Sequence, residues 1–70
     1  MAIVKVIEIL AQSPTSWEDA TQQALMEAAK TIRNIQTIYV KEFQAIVEND
    51  QIVFYRVNVK ISFLVDDTQR

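Results

Sequence analysis

Residues 52–65 read IVFYRVNVKISFLV, and this stretch determines how the rest of the chain is arranged. Every odd position in it is apolar, whereas the even positions are polar in the middle and apolar at the two ends. Successive side chains of a β-strand point to opposite faces, so the pattern predicts one long strand with a fully apolar face. β-Branched and aromatic residues dominate it, as is typical of strands. The other segments must therefore cover one face of this strand and pair with its edges.

Two further segments are predicted to be strands, from Ala2 to Gln12 and from Ile35 to Val47. Both alternate, but each is partly apolar at odd and at even positions, which is typical of strands covered on two sides. The first strand is either an ordinary sheet strand or one whose second face meets another subunit. We favour the subunit contact, because a single helix cannot cover both faces. For the second strand, a bulge near Lys41 and Glu42 that switches faces is an alternative explanation.

One helix is predicted between these two strands, from Trp17 to about Arg33. Its apolar residues recur at helical spacing and are mostly alanine: Trp17, Ala20, Ala24, Leu25, Ala28 and Ile32. Such a narrow stripe of small side chains lets a helix lie close against a sheet, while the opposite side of the helix is polar.

The ends of this helix also carry sequence signals. Two capping boxes compete at its start, Thr15 with Glu18 and Ser16 with Asp19, and either one starts the helix near Trp17. At its end, Asn34 is expected to act as the terminator, because asparagine tolerates the left-handed conformation where glycine is absent.

The segment from Glu48 to Gln51 is predicted to be a hairpin turn, and the polar tail from Asp66 to Arg70 is predicted to fray. The element order is therefore β-α-β-β. It predicts an α+β fold with a three-stranded antiparallel sheet in the order 1-3-2 and one helix on one face. The other face carries Arg56, Asn58 and Lys60 and has no cover within the chain. Packing against further subunits resolves this.

The composition excludes several classes of function. A chain of 70 residues predicts one domain, residues 1–70, whose small core is marginal without additional support. Cysteine and histidine are both absent, which removes disulfides, thiolate ligands and imidazole chemistry. Oligomerisation remains as the means of support. We expect no enzyme, because a nucleophile–base pair of the usual kinds is missing.

The charge and the N-terminal segment predict the environment of the protein. The net charge of −2 and a pI near 4.9 argue against a nucleic-acid binder, which needs a basic face. Met1 leads into Ala2-Ile3-Val4-Lys5 without the basic start and cleavage site of a signal peptide. No apolar run approaches the ~20 residues of a membrane span. We therefore expect a soluble, cytoplasmic protein without a membrane partner.

The element order and three motifs together resemble the dodecins, small bacterial and archaeal proteins. The motifs are KVIEI at 5–9, SPTSWE at 13–18, and YRV followed by VKISF within 55–63. The resemblance runs nearly end to end. It implies a three-stranded antiparallel sheet wrapped around one helix, a hollow homododecamer and a role in binding or storing a small ligand.

The resemblance also implies candidate ligand-binding positions. Most dodecins bind flavins through an aspartate-tryptophan pair in the second strand and a glutamine in the third, and these positions fall on Gln36-Thr37 and on Arg56. Thr37 has no aromatic ring, which costs about 1 kcal/mol or more of stacking per contact. Arg56 has donors only, whereas a glutamine amide has a donor and an acceptor. We expect flavin to bind weakly if it binds at all.

The SPTSWE stretch and the Tyr55-Arg56 pair are closer to the non-flavin branch, the calcium dodecins, and this implies a cation as the alternative ligand. The available carboxylates lack the spacing of a calcium loop: Glu8, Glu42, Glu48, Asp50, Asp66 and Asp67. A calcium site would have to be assembled across subunits, so the metal ligands remain unassigned. The carboxylates are otherwise a solubilising surface, and a purely structural assembly without a specific ligand is the remaining alternative.

Overall fold

The structure, a computed structural model, describes residues 3–65. In chain order it contains β1 (Ile3–Ser13), α1 (Trp17–Ala29), β2 (Ile35–Glu48) and β3 (Gln51–Val65). The strands form one antiparallel sheet in the order β1-β3-β2, which confirms the predicted fold class and topology. The predicted fraying of the tail from Asp66 lies outside the described residues. Within residues 3–65, no helix is long and apolar enough to cross a membrane.

The helix covers one face of the sheet, and the core lies between the two. Three alanines of α1 and three branched residues of β3 are buried: Ala20, Ala24, Ala28, Val57, Val59 and Ile61. The three β3 side chains are 0% exposed, which confirms that the odd positions of this strand face the helix. Small side chains on the helix bring its backbone close to the sheet, so that the larger side chains of β3 fill the space between them.

The start of α1 is tied to the end of β1. Ser16 is the N-cap, and its hydroxyl accepts a hydrogen bond from the backbone N–H of Asp19 at 2.9 Å, which is the Ser16 half of the second predicted capping box. The carboxylate of Asp19 accepts the Ser13 hydroxyl at 2.6 Å. Ser13 is buried and belongs to β1, one residue beyond the predicted end of that strand at Gln12. This hydrogen bond fixes the angle between strand and helix.

The predicted end of the helix near Arg33 is wrong, because α1 ends at Ala29. The backbone N–H groups of Thr31 and Ile32 both donate to the carbonyl of Ala28, at 3.2 and 2.9 Å, which closes the last turn. Ile32 extended the apolar pattern beyond the helix because it packs against the core from the turn that follows.

Asn34 adopts the left-handed conformation expected for it, with φ of 62°, but it lies beyond the helix end. Its carbonyl accepts a hydrogen bond from the N–H of Leu64 at 3.1 Å. Asn34 therefore directs the chain into β2, whereas the sequence predicted that it would terminate α1.

The hairpin between β2 and β3 has the predicted turn. Asn49 and Asp50 have φ of 53° and 61°, the pair of positive values that a tight hairpin turn with the right twist requires. Pairing begins next to them, between Glu48 and Gln51.

The predicted bulge near Lys41 and Glu42 is present, since the register of β2 on β3 shifts between Val40 and Glu42. Further shifts lie between Ile35 and Thr37 and between Ile46 and Val47. These irregularities explain why neither parity of β2 is uniformly apolar. They let Ile38, Val40 and Phe43 all pair with residues on the helix side of β3.

Candidate functional site

The face of the sheet opposite α1 is the candidate functional surface, and we call it the open face. Because alternate residues of β3 face the helix, the residues between them, and their partners in register, form the open face. These residues are Val4, Val6, Glu8, Leu10 and Gln12 of β1, Thr37, Tyr39, Glu42, Gln44 and Ile46 of β2, and Phe54, Arg56, Asn58, Lys60, Ser62 and Leu64 of β3.

Large apolar side chains are exposed on the open face. Leu10 on β1 is 63% exposed and Tyr39 on β2 is 62% exposed, and the β1 side chains Val4 and Val6 are also more than half exposed. Several large apolar side chains exposed on one face of a small chain are typical of an interaction site, although polar residues of β1 and β3 lie between them. The open face therefore has the character of a surface that another molecule covers.

Arg56 lies at the centre of the open face, between Gln12 on β1 and Gln44 on β2. Its Nε and Nη2 atoms both donate to Oε1 of Gln12, at 3.0 and 2.9 Å, so the guanidinium is held in one orientation. The side chain is half-buried. No carboxylate among residues 3–65 lies within ion-pair distance of it. The charge of Arg56 is thus positioned by a neutral amide and is not neutralised within the described chain.

Glu8, by contrast, is neutralised by its own chain. Nζ of Lys41 lies 3.4 Å from Oε2 of Glu8, which links the two outer strands across β3. A hydrogen bond with the Asn58 side chain and the charge of Lys41 lower the pKa of the Glu8 carboxyl, and the charge of Lys60 contributes in the same direction. Glu8 is therefore a poor candidate for a cation ligand, because three donors already surround it.

Asn58 carries the one buried side-chain polar atom of residues 3–65 that has no hydrogen-bond partner, Oδ1. It lies between Arg56 and Lys60 along the open face. An unsatisfied buried acceptor costs about 1–3 kcal/mol. Because Oδ1 is already shielded from solvent within the single chain, this cost is internal to the polar centre of the sheet and does not by itself mark a contact with another molecule.

Thr37 and Gln36 lie at one end of the sheet, far from Arg56. The Thr37 hydroxyl hydrogen-bonds the Ser62 hydroxyl across β2 and β3. Gln36 is exposed at a register shift, with its Nε2 3.5 Å from the carbonyl of Asn34. Both residues line a groove of about 460 Å³ between the end of α1 and β2, together with Ile32.

The structure therefore does not bring the three predicted site residues together within one chain. Thr37 pairs with Ser62, which is six residues from Arg56 along β3. At about 3.3 Å per residue this separation is about 20 Å. Gln36 and Thr37 are sequence neighbours, but Thr37 and Arg56 of one chain are too far apart to contact the same small ring.

The single tryptophan does not replace the missing aromatic residue of β2. Nε1 of Trp17 donates to the backbone carbonyl of Gln44 at 2.9 Å. Its ring packs edge-to-face against Tyr55, with centroids 5.0 Å apart, and against Phe43, with centroids 5.8 Å apart. Trp17 thus fastens the start of α1 to β2 on the helix side of the sheet, where it cannot stack on a ligand at the open face.

The described residues contain no group of three or more acidic side chains that could hold a metal ion. Glu48 and Asp50 lie at the β2–β3 hairpin, and Glu42 lies on the open face opposite Asn58. Asp66 and Asp67, which the sequence also offered, lie outside the described residues.

Sequence reasoning missed Gln12 and Gln44, the residues on either side of Arg56. Counting back from the hairpin pairs Arg56 with Phe43, and only the extra residue at Val53 shifts its partner to Gln44. No turn joins β1 to β3, so no local signal gave the pairing of Gln12 with Arg56. The hairpin turn and the bulge near Lys41 were the register signals that the sequence supplied.

Comparisons with known proteins agree with this architecture. A family model described as Dodecin matches residues 3–66. The calcium dodecin of Mycobacterium tuberculosis is 33% identical over 69 residues, which cover 99% of this chain and 97% of that protein.

Solved dodecin structures also match the fold of this chain. A point mutant of the dodecin of T. thermophilus is 28% identical, with a TM-score of 0.91 and coverage of 97% of this chain and 100% of that one. The calcium-chelating antigen of Mycobacterium tuberculosis, a calcium dodecin with a calcium-binding site described as novel, is 32% identical. Its TM-score is 0.82, with 97% of each chain covered.

Proposed function

The chain belongs to the dodecin family, and from this we propose that it is a small-ligand-binding or storage protein that forms a closed homo-oligomer. Twelve chains around a hollow centre are the expected assembly, and the expected location is the cytoplasm. Its role is binding, without catalysis. The observation that carries this proposal is the open face, which has apolar side chains and unmatched polar groups side by side.

The open face supports self-association for a physical reason. Leu10 and Tyr39 are each more than 60% exposed. A chain of 70 residues gains little stability from one small core, so burying the open face adds the apolar contact that the core lacks. Assembly of identical chains around symmetry axes provides such a cover without a second gene product.

Native mass spectrometry tests the assembly. The parent protein is expected to give a multiple of the 8.1 kDa chain mass, with twelve copies as the leading value. Leu10→Asp places a charge on the open face and is expected to shift the mass towards smaller species. Met26→Asp is the matched control, because Met26 is 53% exposed on α1, outside the open face. An 8.1 kDa parent species at micromolar concentration would contradict the proposal.

Flavin is expected to bind far more weakly than to a flavin-binding dodecin. Thr37 supplies no stacking surface and its hydroxyl is engaged by Ser62, while Arg56 presents donors only. Losing the stacking and amide contacts together costs on the order of 2–4 kcal/mol, roughly 30- to 1000-fold in affinity. Because the two positions are about 20 Å apart in one chain, the flavin position lies between chains.

A fluorescence titration of riboflavin tests this part of the proposal. The parent should quench the flavin weakly, and Thr37→Trp combined with Arg56→Gln should recover most of the lost affinity. Tyr39→Trp combined with Arg56→Gln is the matched control, since it places an indole on the open face two positions away. Tight quenching by the parent, or equal binding by both double variants, would contradict the assignment of these positions.

Calcium is the second candidate ligand, and the similarity to the calcium dodecin of Mycobacterium tuberculosis favours it. Residues 3–65 do not form a set of three carboxylates, so calcium ligands would have to come from two or more chains. Glu42 is the open-face carboxylate with no ion pair among the described residues. Oligomer dissociation by EGTA, reversed by calcium and not by magnesium, would support this candidate, and Glu42→Gln should then weaken the response. An oligomer that binds neither flavin nor calcium would favour a purely structural assembly.

A further inference from the structure

We propose that Arg56 is the anchor of an oxyanion-binding site on the open face, and that the ligand of this protein carries a phosphate-type group. The inference rests on the proposed small-ligand function and specifies the chemical class of the ligand. It starts from the charge of Arg56, which is held in place without a counter-charge.

The hydrogen bonds of Arg56 leave one edge of its guanidinium available. A guanidinium has five N–H donors, and Gln12 takes one from Nε and one from Nη2 through its Oε1 atom. The edge formed by Nη1 and Nη2 keeps one N–H on each nitrogen. Two parallel donors of this kind match two oxygens of a phosphate, sulfate or carboxylate. Gln12 therefore acts as a positioning residue that orients this pair of donors, which we call the fork.

No carboxylate among residues 3–65 lies within ion-pair distance of Arg56. Its lateral neighbours, Gln12 and Gln44, and its neighbour along the strand, Asn58, are all neutral amides. Glu8 is already paired with Lys41, at 3.4 Å. Among the open-face residues, Arg56 and Lys60 balance Glu8 and Glu42, so the face as a whole is not positive. Glu42 lies opposite Asn58 and forms no ion pair with Arg56, so the counter-charge that is missing is a local one.

Covering the open face makes an anion at this position more necessary. Arg56 is half-buried in one chain, and the proposed assembly removes more of its contact with water. A charged group without a counter-charge in a covered site is costly, and its partner must be an anion.

The test is a calorimetric titration of the intact oligomer with inorganic phosphate and with pyrophosphate. Binding by the parent is expected to fall about 10- to 100-fold in Arg56→Gln, because charge-assisted bonds are lost. Arg56→Lys keeps the charge but not the fork and should show an intermediate loss. Lys30→Gln is the matched control, since Lys30 is an exposed cation paired with Glu27 on α1, and it should bind as the parent does.

Two results would overturn the proposal. One is the absence of phosphate and pyrophosphate binding by a parent protein of normal oligomer mass, which would mean that a carboxylate of another chain occupies the fork. The other is equal binding by the parent and Arg56→Lys, a comparison that decides the matter even if Arg56→Gln does not assemble. A monomeric parent mass would instead refute the assembly, so the failures of the two proposals are distinguishable.

Discussion

The two faces of the sheet differ in how much of their chemistry the chain completes by itself. On the helix side, Val57, Val59 and Ile61 are 0% exposed, and the polar atoms of the nearby chain reversal, such as the Ser13 hydroxyl, have partners. On the open face, Leu10 is 63% exposed, Asn58 has a buried oxygen without a donor and Arg56 has no counter-charge among residues 3–65. The helix side contains the buried core, whereas the open face is left without a cover by the described chain.

This difference also explains the uneven distribution of alanine and of large residues. The helix contributes Ala20, Ala24 and Ala28 to the core, so the space beneath it is filled from β3. The open face receives no helix, and Val4, Val6 and Leu10 of β1 and Tyr39 of β2 are more than half exposed there. A second helix in the chain would have covered them, and the chain has none in its described part. Its surface is therefore suited to contact with copies of itself.

The largest expected loss of stability comes from a substitution on the helix side of the sheet. Ile61→Ala removes a fully buried side chain beneath α1 and leaves a cavity, so we expect a loss of about 2–5 kcal/mol in the free energy of unfolding. Ile52→Ala is the matched control: Ile52 belongs to the same strand but is 53% exposed, and we expect a loss below about 1 kcal/mol. Chemical denaturation at one protein concentration measures both. Similar losses for the two variants would show that the buried and the exposed positions of β3 contribute equally to stability.

The fold was predictable because it follows from local patterns. Three local patterns each indicate one element: the parity of β3, the alanine stripe of α1 and the Asn-Asp turn. Because β2 and β3 form a hairpin, the first strand can pair with the free edge of β3, which gives the order β1-β3-β2. The helix end was not predictable from periodicity, since Ile32 continues the stripe after the helix has stopped. Tertiary packing, and not helical geometry, places Ile32 on the core.

A smaller effect is expected where the helix meets β2. Trp17→Phe keeps an aromatic ring beside Tyr55 and Phe43 but removes the hydrogen bond from Nε1 to the Gln44 carbonyl, so we expect a loss of about 1–2 kcal/mol. The thermal midpoint of Trp17→Phe relative to Trp17→Leu separates the hydrogen bond from the ring packing. If Trp17→Phe has the parent's midpoint, the link between α1 and β2 rests on ring packing alone.

The candidate site was only partly predictable. Arg56 was identified because the resemblance to dodecins pointed to its position and because its strand parity placed it away from the helix. The pairing of Gln12 and Gln44 with Arg56 is set by the register of two strand pairs. The sequence does not reveal this register, because β3 has a bulge at Val53 and no turn joins β1 to β3. The separation of Thr37 from Arg56 likewise depends on three-dimensional register. Local sequence therefore identifies single residues of an open sheet face better than it identifies which of them are in contact.

The smallest expected effect concerns the one ionisable group of the open face whose pKa is shifted. A hydrogen bond with Asn58 and the charge of Lys41 hold the pKa of Glu8 below its ordinary value in the folded chain. A carboxyl with a lowered folded pKa stabilises the fold above its unfolded pKa, and that contribution disappears as the pH falls through the folded pKa. Glu8→Gln has no proton to bind, so its thermal midpoint should decrease less than that of the parent when the pH is lowered through the acidic range below the ordinary glutamate pKa of about 4.3.

Partner variants show whether the open face itself produces this pH dependence. Asn58→Ala removes the larger cause of the shift and Lys41→Met removes the ion pair, so each should bring the Glu8 carboxyl titration, followed by carbon-13 NMR, towards a higher pKa. Asn58→Ala loses the hydrogen bond to Glu8 but also removes the unmatched oxygen. The thermal midpoint of this variant at neutral pH should therefore fall less than it would if only the hydrogen bond were lost. Parallel pH profiles for the parent and Glu8→Gln would mean that Glu8 has the same pKa in the folded and unfolded chains. The contacts of ionised Glu8 with Asn58 and Lys41 would then give the fold no net stabilisation.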